Sequence, residues 1–181
     1  YQIDNIKEIL YMGEKMFIYP NEYFSKIEDI NIEFLQKNKI KALILDMDNT
    51  LINYKKEMPK PIEEWAKNLI GQGMKLYIVS NTNKKEKVKR IANLLGIPYV
   101  YFAKKPLKFG LLKAKKDLGE KSENIAVVGD QIFTDVIGGN RCKMFTILID
   151  AIEDKDFWYT AWKRPIEKRI KEKIRKNRGE K

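Results

Sequence analysis

The chain predicts an α/β protein, a Rossmann-like parallel β-sheet flanked by helices, and three observations carry that expectation. Four apolar runs, Ala42-Leu43-Ile44-Leu45, Leu76-Tyr77-Ile78-Val79, Tyr99-Val100-Tyr101-Phe102 and Ile125-Ala126-Val127-Val128, alternate with segments of helical spacing. The runs are largely apolar rather than alternating, the pattern of strands covered on both faces. Each leads into a polar cluster, and in parallel α/β sheets ligands bind beyond the carboxyl ends of the strands.

The elements follow in order. Ile32 to Lys37 reads as a short helix, and the first strand, Ala42 to Leu45, is bounded by Lys39 and Lys41. Pro59 and Pro61 mark the start of a helix over Pro61 to Ile70, and Gly71 its end. Asn83 to Leu95 is a helix stopped by Gly96 and Pro98, and Lys108 to Leu118 one stopped by Gly119. Thr146-Ile147-Leu148-Ile149 is a fifth strand. A βαβ series of this kind implies right-handed crossovers. The expected organisation is one domain over 1–181, with a lead segment 1–30, a core at about 31–150 and a C-terminal basic helix at about 156–178.

Composition narrows the chemistry. A chain of 181 residues with 44% hydrophobic content buries one good core. It has no histidine and one cysteine, Cys142, which excludes a Ser-His-Asp triad, a Cys-His pair, the usual zinc sites and an internal disulfide. A reducing, cytoplasmic setting fits that usage. No uncharged apolar run approaches the ~18 to 20 residues of a membrane helix.

Asp46-Met47-Asp48-Asn49-Thr50-Leu51 places two carboxylates where the first strand emerges. Residues two apart point the same way if extended geometry persists, so a shared cation would offset their repulsion. This is the reading of a metal-assisted phosphoryl-transfer site, set against an aspartate pair that only caps a turn. Three further clusters end three further strands: Ser80-Asn81-Thr82, Lys104-Lys105-Pro106, and Gly129-Asp130 through Asp135. Singly, each has an ordinary explanation as turn, surface lysine or helix cap. Together they supply what phosphoryl transfer asks for, positioning and positive charge around three oxygens, and hard oxygen ligands of the kind Mg2+ prefers.

In this order, from about Ile40 to Ile149, the clusters resemble the motifs of the haloacid dehalogenase superfamily. Tyr19-Pro20-Asn21-Glu22-Tyr23, Ala103-Lys104-Lys105-Pro106 and Gly138-Gly139-Asn140-Arg141 extend the likeness to its subclass IIIA, the YqeG family and its relatives among the phosphatidylglycerophosphate phosphatases. The resemblance implies a magnesium-dependent phosphatase without a cap domain. It makes Asp46 the nucleophile that becomes an aspartyl phosphate and Asp48 the acid and base, an Asp at this second position pointing away from dehalogenases and ion pumps. It makes Ser80, Asn81 and Lys105 phosphate-binding, with Lys105 preferred to Lys104 for its place before Pro106. The metal would be held by Asp46, the backbone carbonyl of Asp48 and Asp130, with Thr50 and Asp135 in support. Met47 and Asn49 occupy positions where relatives vary.

Spacing bears on the substrate. Neither Leu51 to Lys60 nor Ser80 to Lys105 has room for a lid, so the site is expected to be open and its substrate a large phosphorylated one, for which the eukaryotic relatives suggest an anionic lipid, phosphatidylglycerophosphate. From Lys155 to Lys181 there are eleven Lys or Arg against four Asp or Glu, +7 of the chain's +11. Trp158, Trp162, Ile166, Ile170 and Ile174 recur every four residues within it. Such a stripe docks on its own domain, lies in an anionic lipid interface as a peripheral contact on the inner face of the cytoplasmic membrane, or binds the phosphates of a nucleic acid. Phosphatase action on nucleic acid, nucleotide or protein, and a non-catalytic RNA or ribosome-binding role, stay open beside the lipid reading.

Overall fold

The computed structural model describes residues 17–153, together with Glu172. Six parallel strands form one sheet: β1 (Glu22–Phe24), β2 (Ala42–Leu45), β3 (Lys75–Val79), β4 (Tyr99–Val100), β5 (Ile125–Gly129) and β6 (Phe145–Ile149). Their order is β1-β6-β5-β2-β3-β4. The helices are α1 (Ile32–Lys37), α2 (Lys60–Gly71), α3 (Lys85–Leu95), α4 (Phe109–Leu118) and α5 (Ile137–Arg141), the last preceded by a π-helical turn, Ile132–Val136. The expected parallel α/β architecture is therefore the observed one.

The order explains where a site belongs. From β2 the chain builds outward to β3 and β4 on one side, then crosses back to β5 and β6 on the other. The switch falls between β2 and β5, which pair from Ala42↔Ile125 to Leu45↔Val128, and a crevice opens where connections leave in opposite directions.

Strand alternation divides the core into two. Leu43 and Leu45 of β2 pack with Trp65, Leu69 and Ile91 of α2 and α3, whereas Ala42 and Ile44 pack with Leu111, Ala114 and Leu118 of α4. Both faces are dry, as the continuous apolar run required. The Trp65 indole, buried with them, donates from Nε1 to the Ile30 carbonyl at 2.8 Å. Gly96 and Gly119 close α3 and α4 in the left-handed region, at φ +66° and +68°, where a side chain would be strained.

Several boundaries differ from expectation. α3 begins at Lys85 rather than Asn83, and β4 is two residues long rather than four. Phe102 has left the strand at φ +49°, its amide donating to the Thr82 carbonyl at 2.8 Å. The lead segment contributes a strand the sequence did not signal: β1 pairs with β6, and Asn21 brackets Thr146, accepting from its amide at 2.8 Å and donating its own amide to the Thr146 hydroxyl at 3.2 Å. The turn and helix over 132–141 were likewise unsignalled. No lid is inserted among the described residues. The basic stripe expected over 156–178 lies outside the described residues apart from Glu172. No described helix is long and apolar enough to cross a membrane.

Candidate active site

Each polar cluster sits at the carboxyl end of its strand. The Asp46 amide still pairs with the Val128 carbonyl at 2.9 Å, which fixes its backbone to the end of β5. Beyond it the chain leaves β2 and turns at Asn49, φ +65°. The two carboxylates take separate cations instead of sharing one. Asp46 Oδ1 accepts from Lys105 Nζ at 2.6 Å in the buried interior, and Asp48 pairs with Lys87 of α3 nearer the surface.

Lys105 is the hub. Its ammonium, with the side chain only 2% exposed, also donates to Asp135 Oδ1 at 2.7 Å. The neighbouring Lys104 instead lays its ammonium over the exposed Phe102 ring, 4.8 Å from the centroid, so the chain places Lys105 and not Lys104 in the crevice. Asn81 holds the Lys105 backbone from both sides, accepting from its amide at 2.6 Å and donating to its carbonyl at 3.0 Å. Ser80, buried at the end of β3, accepts from the Thr82 amide at 3.2 Å, and its hydroxyl proton remains to be donated elsewhere. Thr50 links the first cluster to the last by donating to Asp130 Oδ1 at 3.0 Å.

The carboxylates of Asp46, Asp130 and Asp135 bring one oxygen each within 4.8 Å of one another, all three residues buried. The carboxylate of Asp48 is not among them. Three buried carboxyl groups this close to one another repel, and a divalent cation held among them would offset that repulsion. The all-oxygen donor set suits a hard ion such as magnesium or manganese. The electrostatics carry the same strain: burial, above all, with Asp135 and Asp48 adding repulsion, pushes Asp46 up to about 7 against the pull of Lys105. The two carboxylates hold Lys105 above its ordinary value despite its burial.

Two residues that sequence reasoning passed over shape this geometry. A Cβ at Gly129 would overlap the Asp135 carboxylate and stand 2.7 Å from its Cβ, so only glycine lets Asp135 lie against the end of β5. Asp135 itself reaches back because it rides the π-helical turn, its Oδ2 accepting from the Gln131 amide at 3.2 Å. Lys87 had no signal apart from its place one turn into the helix that follows Ser80.

Solved structures share this fold. An uncharacterized protein from Listeria monocytogenes serotype 4b superposes with a TM-score of 0.53, 20% identity and coverage of 65% of this chain and 85% of that one. The cobalt-bound deoxy-D-mannose-octulosonate 8-phosphate phosphatase of Haemophilus influenzae gives 0.52, 18% identity, and 62% and 69% coverage. Those structures show the fold, and the sequence relatives, together with the acidic crevice, define the class: a phosphatase, a phosphoric monoester hydrolase. More particularly, the chain belongs to the family described as mitochondrial PGP phosphatases, whose sequence profile matches residues 3–153. It is 37% identical over 157 residues to the probable phosphatase YqeG of Bacillus subtilis (strain 168), covering 86% of this chain and 91% of that protein. Against phosphatidylglycerophosphate phosphatase 1 of Arabidopsis thaliana, chloroplastic/mitochondrial, it is 24% identical over 148 residues, covering 77% of this chain and 42% of the plant protein.

Proposed function

We propose that the protein is a magnesium-dependent phosphomonoesterase that works through an aspartyl phosphate on Asp46 and removes the terminal phosphate of phosphatidylglycerophosphate. The observation that carries the chemistry is the convergence of Asp46, Asp130 and Asp135, two of them paired with Lys105, at the switch point of the sheet.

In this reading Asp46, Asp130 and the backbone carbonyl of Asp48 hold the magnesium ion, with Asp135 steadying Lys105 beside them. The ion, when bound, supplies positive charge to the phosphoryl oxygens and favours the ionised form of Asp46. Lys105 and the Ser80 hydroxyl bind the remaining phosphoryl oxygens. The Asn81 side chain is already engaged on both sides of the Lys105 backbone, so it acts by positioning that lysine, and its phosphate contact falls to its own backbone amide. An Asp46 oxygen attacks phosphorus, the bond to the leaving oxygen breaks, and protonated Asp48 gives that oxygen its proton. Asp48, now a carboxylate, takes a proton from water as the water oxygen attacks phosphorus and Asp46 leaves. Lys87 holds the Asp48 carboxylate between these transfers.

The lipid substrate rests on three supports: the family, the plant relative named for phosphatidylglycerophosphate, and the absence of a lid among the described residues. An open site leaves water exclusion to the bulk of the substrate and its surroundings. Presentation at the inner face of the cytoplasmic membrane follows. The test is magnesium-dependent phosphate release from phosphatidylglycerophosphate in mixed micelles. Turnover of soluble esters with none of the lipid would redirect the assignment to nucleotides, nucleic acids or phosphoproteins.

A further inference from the structure

The segment that delivers Lys105 to the crevice is also the most conspicuously apolar part of the surface among the described residues. Among the described residues seven large hydrophobic side chains are exposed, and five of them fall within 101–112: Tyr101 (40%), Phe102 (52%), Leu107 (52%), Phe109 (74%) and Leu112 (44%). They flank Lys105 on both sides, running from the end of β4 into the first turns of α4. Phe109 and Leu112 are three apart on that helix and so lie on one face. None of this exposure is explained by the reaction, and clustered apolar surface is costly to leave in water.

The exposed charge of the segment itself is positive. Within residues 101–112 Lys104 and Lys108 are exposed, Lys105 is buried in the crevice, and there is no acid. Lys85 sits 5.9 Å from the Tyr101 ring centroid and Lys104 4.8 Å from that of Phe102, while Arg141 donates to the Pro106 carbonyl at 3.3 Å beside Leu107. Aromatic and aliphatic side chains interleaved with cations match an anionic lipid interface, where the rings and leucines enter the acyl boundary and the ammonium groups meet the headgroups.

Other occupants fit less well. The chain's own C-terminal stretch, 155–181, is itself strongly basic, and a second copy of the patch would bring like charges together. Nucleic acid would satisfy the cations and stack on the rings, but Leu107 and Leu112 gain only in an apolar medium. We infer that the exposed face of 101–112 is a docking surface for anionic bilayers, which sets the mouth of the crevice against the membrane while acyl chains stay in it. For its purpose this rests on the lipid reading above; for its test it does not.

The experiment compares the full-length wild type with Phe102→Ser/Phe109→Ser and, separately, Leu107→Ser/Leu112→Ser, none of them residues of the crevice. Partitioning is measured by flotation with vesicles of phosphatidylglycerol and phosphatidylcholine, and with phosphatidylcholine alone. Tm and oligomeric state are measured alongside. Expected are wild-type binding to the phosphatidylglycerol vesicles that weakens with salt, and a fall of about tenfold or more in partitioning for each double variant at unchanged Tm. Partitioning unchanged in both variants would overturn the inference. So would loss of a wild-type dimer in the variants, assigning the patch to a second copy, or patch-dependent RNA binding without vesicle binding. Failure to hydrolyse phosphatidylglycerophosphate while patch-dependent vesicle binding holds would sink the substrate assignment alone.

Discussion

Replacing Lys105 with methionine removes the one ammonium between Asp46 and Asp135 and keeps most of the buried volume. Asp46 and Asp135 then each lose the ion pair they make with Lys105, with Asp130 close beside them. Deleting one partner of a buried pair typically costs 3–5 kcal/mol, and because Lys105 is released from its own burial we take the lower end, about 3 kcal/mol at pH 8. With a urea m-value of about 2 kcal/mol/M, the midpoint falls by about 1.5 M. The pH dependence has a definite sign. The folded Asp46 carboxyl titrates at about 7, above its ordinary 3.8, so the folded state holds a proton the unfolded chain has lost. Asp46 therefore favours folding most below pH 3.8, and that contribution is lost as pH rises through 7. In the variant more of the site stays protonated, and at pH 5 the cost should shrink to roughly half. Magnesium should restore stability at pH 8, since the cluster proposed to hold it forms only in the folded state. The assay is urea unfolding followed by tryptophan fluorescence at both pH values, with magnesium or with chelator. A loss equal at pH 5 and pH 8 and indifferent to magnesium would refute the picture of excess negative charge balanced by Lys105.

The other predictions concern residues around that cluster. Gly129→Ala drives a methyl group into the Asp135 carboxylate; overpacking should cost about 1–3 kcal/mol and weaken magnesium binding about tenfold, read by thermal unfolding and metal titration, and unchanged values would show that Asp135 has room to move. Lys87→Met removes the cation paired with the Asp48 carboxylate; kcat on a soluble ester should fall about tenfold with KM little changed, and Lys87→Arg should recover most of it. An unaltered kcat in Lys87→Met would remove Lys87 from the account.

The sheet was legible because buried parallel strands write themselves as apolar runs, and the helices because Gly96, Gly119 and the Pro59/Pro61 pair punctuate them. β1 was not legible: three residues at a sheet edge, held in part by Asn21 and Thr146, carry too little periodicity. Tyr101 and Phe102 read as strand because aromatic residues favour strands, yet they end on the surface, where a backbone at positive φ and the Thr82 carbonyl hold Phe102. Pattern marked the polar clusters and the family resemblance named residues within them, and the structure brings Asp46, Ser80, Asn81, Lys105, Thr50, Asp130 and Asp135 into one connected set of strand ends and hydrogen bonds. Spacing alone did not reveal that Asp48 is drawn to Lys87, or how Asp135, named as the second acid of its motif, reaches Lys105. Both depend on backbone turns, one after β2 and one π-helical, that leave no periodic trace. Gly129 was equally silent, since the need for a missing Cβ is set by a side chain six residues further on.

The central claim is chemical, and the most direct measurement is phosphate release from phosphatidylglycerophosphate in anionic vesicles by wild type and Asp46→Asn, each with magnesium and with chelator. The account predicts turnover by wild type that chelation abolishes, and for Asp46→Asn a loss of about a thousandfold or more with the fold intact. Undiminished turnover by Asp46→Asn, or turnover indifferent to chelation, would contradict it.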